Sequence, residues 1–598
     1  MSRPRLVPAV AAGAALVLGL TALTATPAEA GRDGHDRQSR WVQKTLQRMT
    51  LEQKVGQLFV PYVTGGTADT ASPVNLERFG VATPAEAVRK LHLGGVIYFA
   101  WSDNTQNPEQ IARLSNGLQR AALAPTGRGR HRSPAIPLTI ATDQETGIVA
   151  RVGPPATQFP GAMALGASRD RRATRDTYAI TGTELRALGI NTDYAPVADV
   201  NINPANPVIG VRSFSSRPDL VAEHVTAAVQ GLQRDGEVSA VAKHFPGHGD
   251  TGTDSHHDLP VITHTRAEWE RIDAPPFKAA IAAGVDSIMT AHISFPQLEP
   301  NGDPSTLSKK VLTGLLREEL GFRGVIATDS LRMEGVRKMY SDAEIAIRAV
   351  EAGADVLLDP QQPVVQYQAV LDAVEDGRLS ERRIDQSVRR ILTMKYERGV
   401  VDDPVVKVKR VARTVGTPAH LARAQQVTDA TPTLVTDEAD LVPLPSGSTL
   451  VTGSGATGIP LLSQKLTARG HRAEGFVTGS TPTAATTADA VARAAAHDTV
   501  VVMTSSATRS PAQQALVAAL LKTGKPVLVV AVANPYDISV LPGVQSYLVT
   551  YSTTPVAVES LARLLDGATT PRGKLPVDIP RADHPGTVLF PFGTGLTS

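Results

Sequence analysis

Eight short apolar runs lie between Leu51 and Arg398, each giving way to polar residues and then to an amphipathic stretch. They are Val55–Val63, Gly95–Ala100, Leu138–Asp143, Asn191–Pro196, Ala240–His244, Ser287–His292, Gly324–Asp329 and Ala354–Leu358. Near-continuous apolar runs of this length mark strands buried on both faces. Helical patterns stand between them, at Asp170–Leu188, Asp219–Asp235, Arg266–Ala283 and Ala343–Ala352 among others. This alternation predicts an α/β fold, a (β/α)8 TIM barrel. An open doubly wound sheet would need a glycine-rich dinucleotide turn after an early strand, and none is present.

In such barrels the chemistry gathers where strands end and βα loops begin. Run three ends in Asp143-Gln144-Glu145, run five in Lys243-His244, run six in His292 and run seven in Asp329. These side chains are expected at one mouth. Run five opens the segment Lys243–His257, which holds three Gly, one Pro, two Asp and four His. Gly and Pro make it a shaped loop. Asp254 and His256, two residues apart, are the raw material of a general acid/base pair.

The rest of the chain frames that barrel. Residues 1–30 read as a secretory signal peptide: Arg3 and Arg5, the apolar run Val7–Leu23, then Ala28-Glu29-Ala30 before Gly31. The protein is therefore expected to be secreted, outside the cell or on the cell wall. The barrel is assigned to residues 31–400, a linker to 401–418 and a second α/β domain to 419–598. Strands of that second domain are expected at Thr433–Thr436, Thr449–Thr452, Thr499–Met503, Pro526–Ala531 and Ser546–Tyr551, with helices at Ala484–Ala496 and Ala512–Lys522. Zero cysteines remove disulfides, thiolate nucleophiles and Cys-bound metals. The formal net charge is only +2 and no basic tract is present, which sets nucleic-acid binding aside. No second apolar run is long enough to span a bilayer, and nothing in the sequence specifies an oligomeric state.

Lys243-His244-Phe245-Pro246-Gly247-His248-Gly249-Asp250-Thr251, followed by Asp254-Ser255-His256, resembles the signature of the β-N-acetylglucosaminidase branch of glycoside hydrolase family 3. Other pieces agree in order: Met49–Leu58, Gly94–Ile97, Asp143-Gln144-Glu145, Asn206–Phe214 and Thr328–Met333, with Gly573–Pro580 like the family's second, α/β-sandwich domain. The resemblance implies a retaining exo-β-N-acetylhexosaminidase that uses no cofactor and no metal. It makes Asp329 the nucleophile and the Asp254–His256 dyad the acid/base. Asp143, Arg212, Lys243 and His244 then bind the terminal sugar of a GlcNAc-containing carbohydrate, such as a peptidoglycan or chitin fragment. His248 and Asp250 are expected to shape their loop, and His292 to be a satisfied core histidine.

Two departures from the family pattern bear on the sugar. Thr146–Arg151 replaces the usual Gly-Gly-Arg-Val-Gln-Arg, and Ser330 stands where a second Asp is common. A family 3 β-glucosidase and a glycoside phosphorylase stay open beside the hydrolase. A neutral imidazole repels incoming phosphate less than a carboxylate would. Outside the family, a metal hydrolase built on the loop's His and Asp, or a sugar-binding protein without activity, are the rivals.

Overall fold

The computed structural model describes residues 1, 27–124 and 133–597, the side chains of 27–35 excepted. Most of the expected leader, residues 2–26, lies outside the described residues; 27–30 open a helix, Pro27–Leu46.

Eight strands follow in the first part: β1 (Phe59–Val60), β2 (Gly95–Ile97), β3 (Thr139–Thr142), β4 (Thr192–Asp193), β5 (Ser239–Phe245), β6 (Ser287–Thr290), β7 (Val325–Ala327) and β8 (Leu357–Leu358). Strands β2 to β7 form one curled parallel sheet in chain order, and β1 pairs in parallel with β8. Single parallel bridges, Tyr62 to Ile97 and Ala327 to Val356, join the two parts into a ring. Every residue of these strands is buried, as a sheet wrapped by helices requires.

Most expected strands shorten, Asn191–Pro196 to Thr192–Asp193 and Ala354–Leu358 to Leu357–Leu358 among them, and Val55–Val63 shrinks most. Val55 and Gly56 belong to helix Leu51–Gly56, because Thr50 and Gln53 form a capping box that outweighs the apolar run. The strand is confined to Phe59–Val60. The expected helix Arg266–Ala283 divides into Arg266–Ile272 and Ala274–Ala282, the second opened by prolines at its first turn.

The second domain is a six-stranded sheet of β9 (Thr433–Asp437), β10 (Ser448–Gly453), β11 (Arg472–Val477), β12 (Thr499–Thr504), β13 (Val527–Ala531) and β14 (Ser546–Val549). The order is β11-β10-β12-β13-β14-β9, parallel except where β9 runs against β14. Alternate residues feed two cores. Val500, Val502 and Val529 enter one, and Val501, Met503 and Val530 the other. The sheet is thus sandwiched between helical layers.

The first of these cores also contains Met163, Ala164, Ala167 and Val211 of the barrel. Residues 574–576 run along the barrel, where Lys574 N–H donates to the Ala167 carbonyl at 3.0 Å and Arg169 to the Leu575 carbonyl at 2.7 Å. The linker segment lies on the barrel too. Asn116 exchanges two hydrogen bonds with the Val406 backbone, at 2.8 and 2.7 Å, and the Gly416 N–H donates to Glu184 at 2.9 Å. Among the described residues no helix is long and apolar enough to cross a membrane.

Candidate active site

The C-terminal ends of the strands open into one cavity of about 420 Å³. Asp143 and Glu145 reach it from the end of β3, Lys243 and His244 from β5, and Asp329 from the end of β7. Arg212 comes from the turn Gly210–Arg212 and His256 from the loop after β5. Six of the seven site residues named from sequence therefore line a common cavity; the seventh, Asp254, stands behind His256. No residue of the second domain lines it among the described residues.

The floor is a buried charge cluster. Lys243 Nζ lies 2.8 Å from Asp143 Oδ1 and 2.6 Å from Glu145 Oε1. Arg212 grips Glu145 with two N–H groups, at 2.8 and 2.7 Å. Burial alone would raise the Glu145 carboxyl, but Arg212 and Lys243 outweigh it and hold the group well below the usual carboxylate range. Burial would likewise strip Lys243 of its proton; Asp143 and Glu145 reverse this and raise its pKa. Both oxygens of Glu145 are engaged by these cations. Asp143 keeps its second oxygen, 4.0 Å from Arg151, available to a ligand hydroxyl.

His244 is set by a residue the sequence reading missed. Asp199 accepts from His244 Nδ1 at 2.7 Å, from His244 N–H at 3.1 Å and from His248 N–H at 2.7 Å. A carboxylate acceptor places the ring proton on Nδ1 and leaves Nε2, 3.5 Å from Arg212, facing the cavity. Replacing Asp199 by Asn would point an NH2 at one of three donors. Leaving a buried donor unmatched costs about 1–3 kcal/mol. Asp199→Asn should therefore lower the urea midpoint of unfolding, and an unchanged midpoint would count against this network.

Asp329 Oδ1 accepts the N–H of Ser330 at 2.7 Å. Burial pushes its pKa up, while the His244 and His292 rings, the Ser330 amide and Lys243 more than reverse the push. The carboxylate is thus held in its ionised form. His292 lies behind it, fully buried, its Nε2 2.9 Å from the Ser330 carbonyl and its Nδ1 2.9 Å from Thr306 Oγ1. It supports the backbone after Asp329 and does not line the cavity.

The loop after β5 is fixed at its base and open at its tip. Gly247 has φ +139°, and a Cβ there would meet Asp273 Oδ1 at 2.6 Å. His264, between Asp250 at 3.1 Å and Asp273 at 2.7 Å, is pushed up to about 10 by those two hydrogen bonds, so a cation clamps the loop. Buried His248 reaches Ser255 Oγ at 3.0 Å. At the tip, His256 Nδ1 is 2.7 Å from Asp254 Oδ1, which also takes the His256 N–H at 2.9 Å. Burial raises the Asp254 carboxyl less than His256 lowers it. The His256 side chain is 59% exposed, and its Nε2 is left for a ligand. His257 does not line the cavity. Among the described residues no three His, Asp or Glu side chains are grouped to hold a metal ion.

The rim holds further residues that sequence reading missed. Phe99 and Trp101, past β2, stack at 4.9 Å, and Trp101 is 59% exposed. Arg332 lies 5.6 Å from the Trp101 ring. A tryptophan directly after an apolar run, at Phe99-Ala100-Trp101, was the available signal.

Comparison with known proteins places this geometry. The model of the glycosyl hydrolase family 3 N terminal domain matches residues 50–394, and that of the family's C-terminal domain matches 336–598. The chain belongs to glycoside hydrolase family 3. Within family 3, a β-hexosaminidase A of Pseudoalteromonas piscicida is 38% identical over 56% of this chain and 58% of its own length. A β-N-acetylglucosaminidase/β-glucosidase of Cellulomonas fimi is 29% identical over 93% of this chain and 98% of its own. The solved structure of a family 3 β-N-acetylglucosaminidase from Paenibacillus sp. str. FPU-7 superposes with a TM-score of 0.81 at 38% identity, covering 89% of this chain and 100% of that one. A β-glucosidase from Listeria innocua shares the fold, with a TM-score of 0.79 at 22% identity. This family 3 chain is therefore a glycosidase acting on a carbohydrate.

Proposed function

We propose that this family 3 glycosidase is a retaining exo-β-N-acetylhexosaminidase. The observation that carries the reading is the Asp254–His256 pair. One loop brings an imidazole, hydrogen-bonded to a carboxylate at 2.7 Å, to the cavity that holds Asp329. An acid/base on one element and a carboxylate on another is what a two-step displacement needs.

In the first step Asp329 attacks the anomeric carbon and forms a glycosyl ester while the glycosidic C–O bond breaks. Protonated His256 gives its Nε2 proton to the departing oxygen, and Asp254 steadies the imidazolium before the transfer. In the second step neutral His256 takes a proton from water as that water attacks the same carbon and frees Asp329. Two inversions return the β configuration. Lys243, His244, Arg212 and Asp143 hold the terminal sugar through charge-assisted hydrogen bonds. The blind, charged floor favours cleavage from the non-reducing end. The relatives named above support GlcNAc as that sugar, and a leader at residues 1–30 would deliver the enzyme to peptidoglycan or chitin fragments outside the cell.

The test compares p-nitrophenyl β-GlcNAc with p-nitrophenyl β-glucoside in phosphate-free buffer with EDTA. The GlcNAc substrate is expected to react faster. Preference for the glucoside would overturn the reading in favour of a β-glucosidase. Rate gain and sugar phosphate on adding phosphate would overturn hydrolysis in favour of phosphorolysis.

A further inference from the structure

The two acids of the cavity floor stand on a strained turn. Thr146, the residue after Glu145, has φ +75°, a region costly for a β-branched side chain. Such a turn keeps its shape only if its surroundings hold it. The Gln144 side chain ties it to its far end, accepting from the Arg151 and Val152 N–H groups at 2.8 and 3.0 Å. Tyr178 donates to the Glu145 carbonyl at 3.3 Å. The Gln144 N–H, which lies between Asp143 and Glu145, donates to Asp193 Oδ1 at 2.8 Å. Strand register accounts for that contact. Asp193 ends β4 and pairs with Thr142 at the end of β3, so its side chain reaches the peptide that joins Asp143 to Gln144.

Asp193 is fully buried and does not line the cavity, and its Oδ2 has no hydrogen-bond partner among the described residues. The titratable groups around it are Asp143 and Glu145 from the end of β3, Lys243 from β5 and Tyr178 from helix Arg171–Ala187. Burial pushes its carboxyl up to about 8 against the pull of the Gln144 N–H and Lys243, and Asp143 and Glu145 add to the push. While Asp193 is neutral, the floor balances two carboxylates, Asp143 and Glu145, against Lys243 and Arg212. Once ionised, it is a third anion competing for Lys243. We propose that Asp193 is a positioning residue for the sugar site: by holding the Asp143–Gln144 peptide it sets the Asp143 carboxylate against the terminal sugar. The neutral acid does this, so the grip is lost as pH rises through about 8. The assignment rests on the hexosaminidase reading, which makes Asp143 a sugar ligand.

The experiment follows kcat/KM on 2,4-dinitrophenyl β-GlcNAc from about pH 6 to about pH 9.5, because this parameter reports the ionisation of the free enzyme. Dinitrophenolate departs without a proton, so His256 does not shape the profile. For the wild type, kcat/KM should fall about tenfold for each pH unit above about 8. Asp193→Asn keeps an acceptor for the Gln144 N–H and cannot ionise. Scaled to its own value at about pH 6, its profile should stay flat across the range. Asp193→Ala removes the acceptor, and its kcat/KM at about pH 6 should lie about tenfold or more below that of Asp193→Asn, the scale of one buried donor left unmatched. If Asp193→Ala does not fold, the Asn profile decides alone. No fall in the wild type above about pH 8, or the same fall in Asp193→Asn, overturns the inference and leaves the hexosaminidase intact. Turnover of the 2,4-dinitrophenyl β-glucoside alone would overturn the hexosaminidase reading, and the same profiles on the glucoside would still decide the role of Asp193.

Discussion

Asp329→Ala is expected to lower kcat on p-nitrophenyl β-GlcNAc by about 10⁴-fold or more, the scale on which enzymes lose covalent catalysis. The side chain sits where burial opposes its charge, and His244, His292, the Ser330 amide and Lys243 restore it. The other carboxylates lining the cavity are engaged: both oxygens of Glu145 are held by cations, Asp143 is tied to Lys243, and Asp359 faces Ser330 Oγ at 2.9 Å and Arg78 at 3.7 Å. Removing the carboxylate leaves a space on the face it attacked from. Added azide should enter that space, displace the leaving group once and give the α-glycosyl azide. Retention of most activity, or a β-azide product, would remove Asp329 from the nucleophile's role.

His256→Ala should divide substrates by their leaving groups. A disaccharide leaves as a basic alkoxide and needs its proton, so its turnover should fall by about 10²–10⁴-fold, the usual contribution of a general acid. p-Nitrophenolate leaves unaided, and formation of the glycosyl ester from the aryl substrate should slow far less. Its hydrolysis would then limit turnover and show as a burst of nitrophenol. Azide needs no base, so it should trap that ester from the leaving-group side as the β-azide. The two variants are thus told apart by opposite anomers of one product. Equal losses on aryl and disaccharide substrates would count against His256 as the acid.

Much of this arrangement could be read from residue order. The barrel was legible because its strands are buried on both faces and so carry unbroken apolar runs, and the ends of those runs marked Asp143, Lys243, His244 and Asp329. What escaped had physical reasons. Strand Arg472–Val477 lies at a sheet edge, half exposed, and its Arg, Glu and Gly mask the pattern. Helix Leu51–Gly56 was hidden in an apolar run, because its signal is the Thr50–Gln53 cap and not hydrophobic period. Asp199 and His264 act on His244 and Asp250 across the fold, and such partners have no spacing in sequence. Arg332 and Trp101 met the same limit, since only closure of the ring brings the ends of β2 and β7 to one rim.

The turn Gly210–Arg212 ties two parts of the molecule together. Val211 is buried in the core of the second domain, while the next residue, Arg212, holds Glu145 on the cavity floor. The second domain therefore acts on the cavity floor as a splint, without placing a side chain in it among the described residues. On the proposed reading, a change that loosens its docking would be felt through Arg212 as weaker grip on the terminal sugar, before His256 or Asp329 is disturbed.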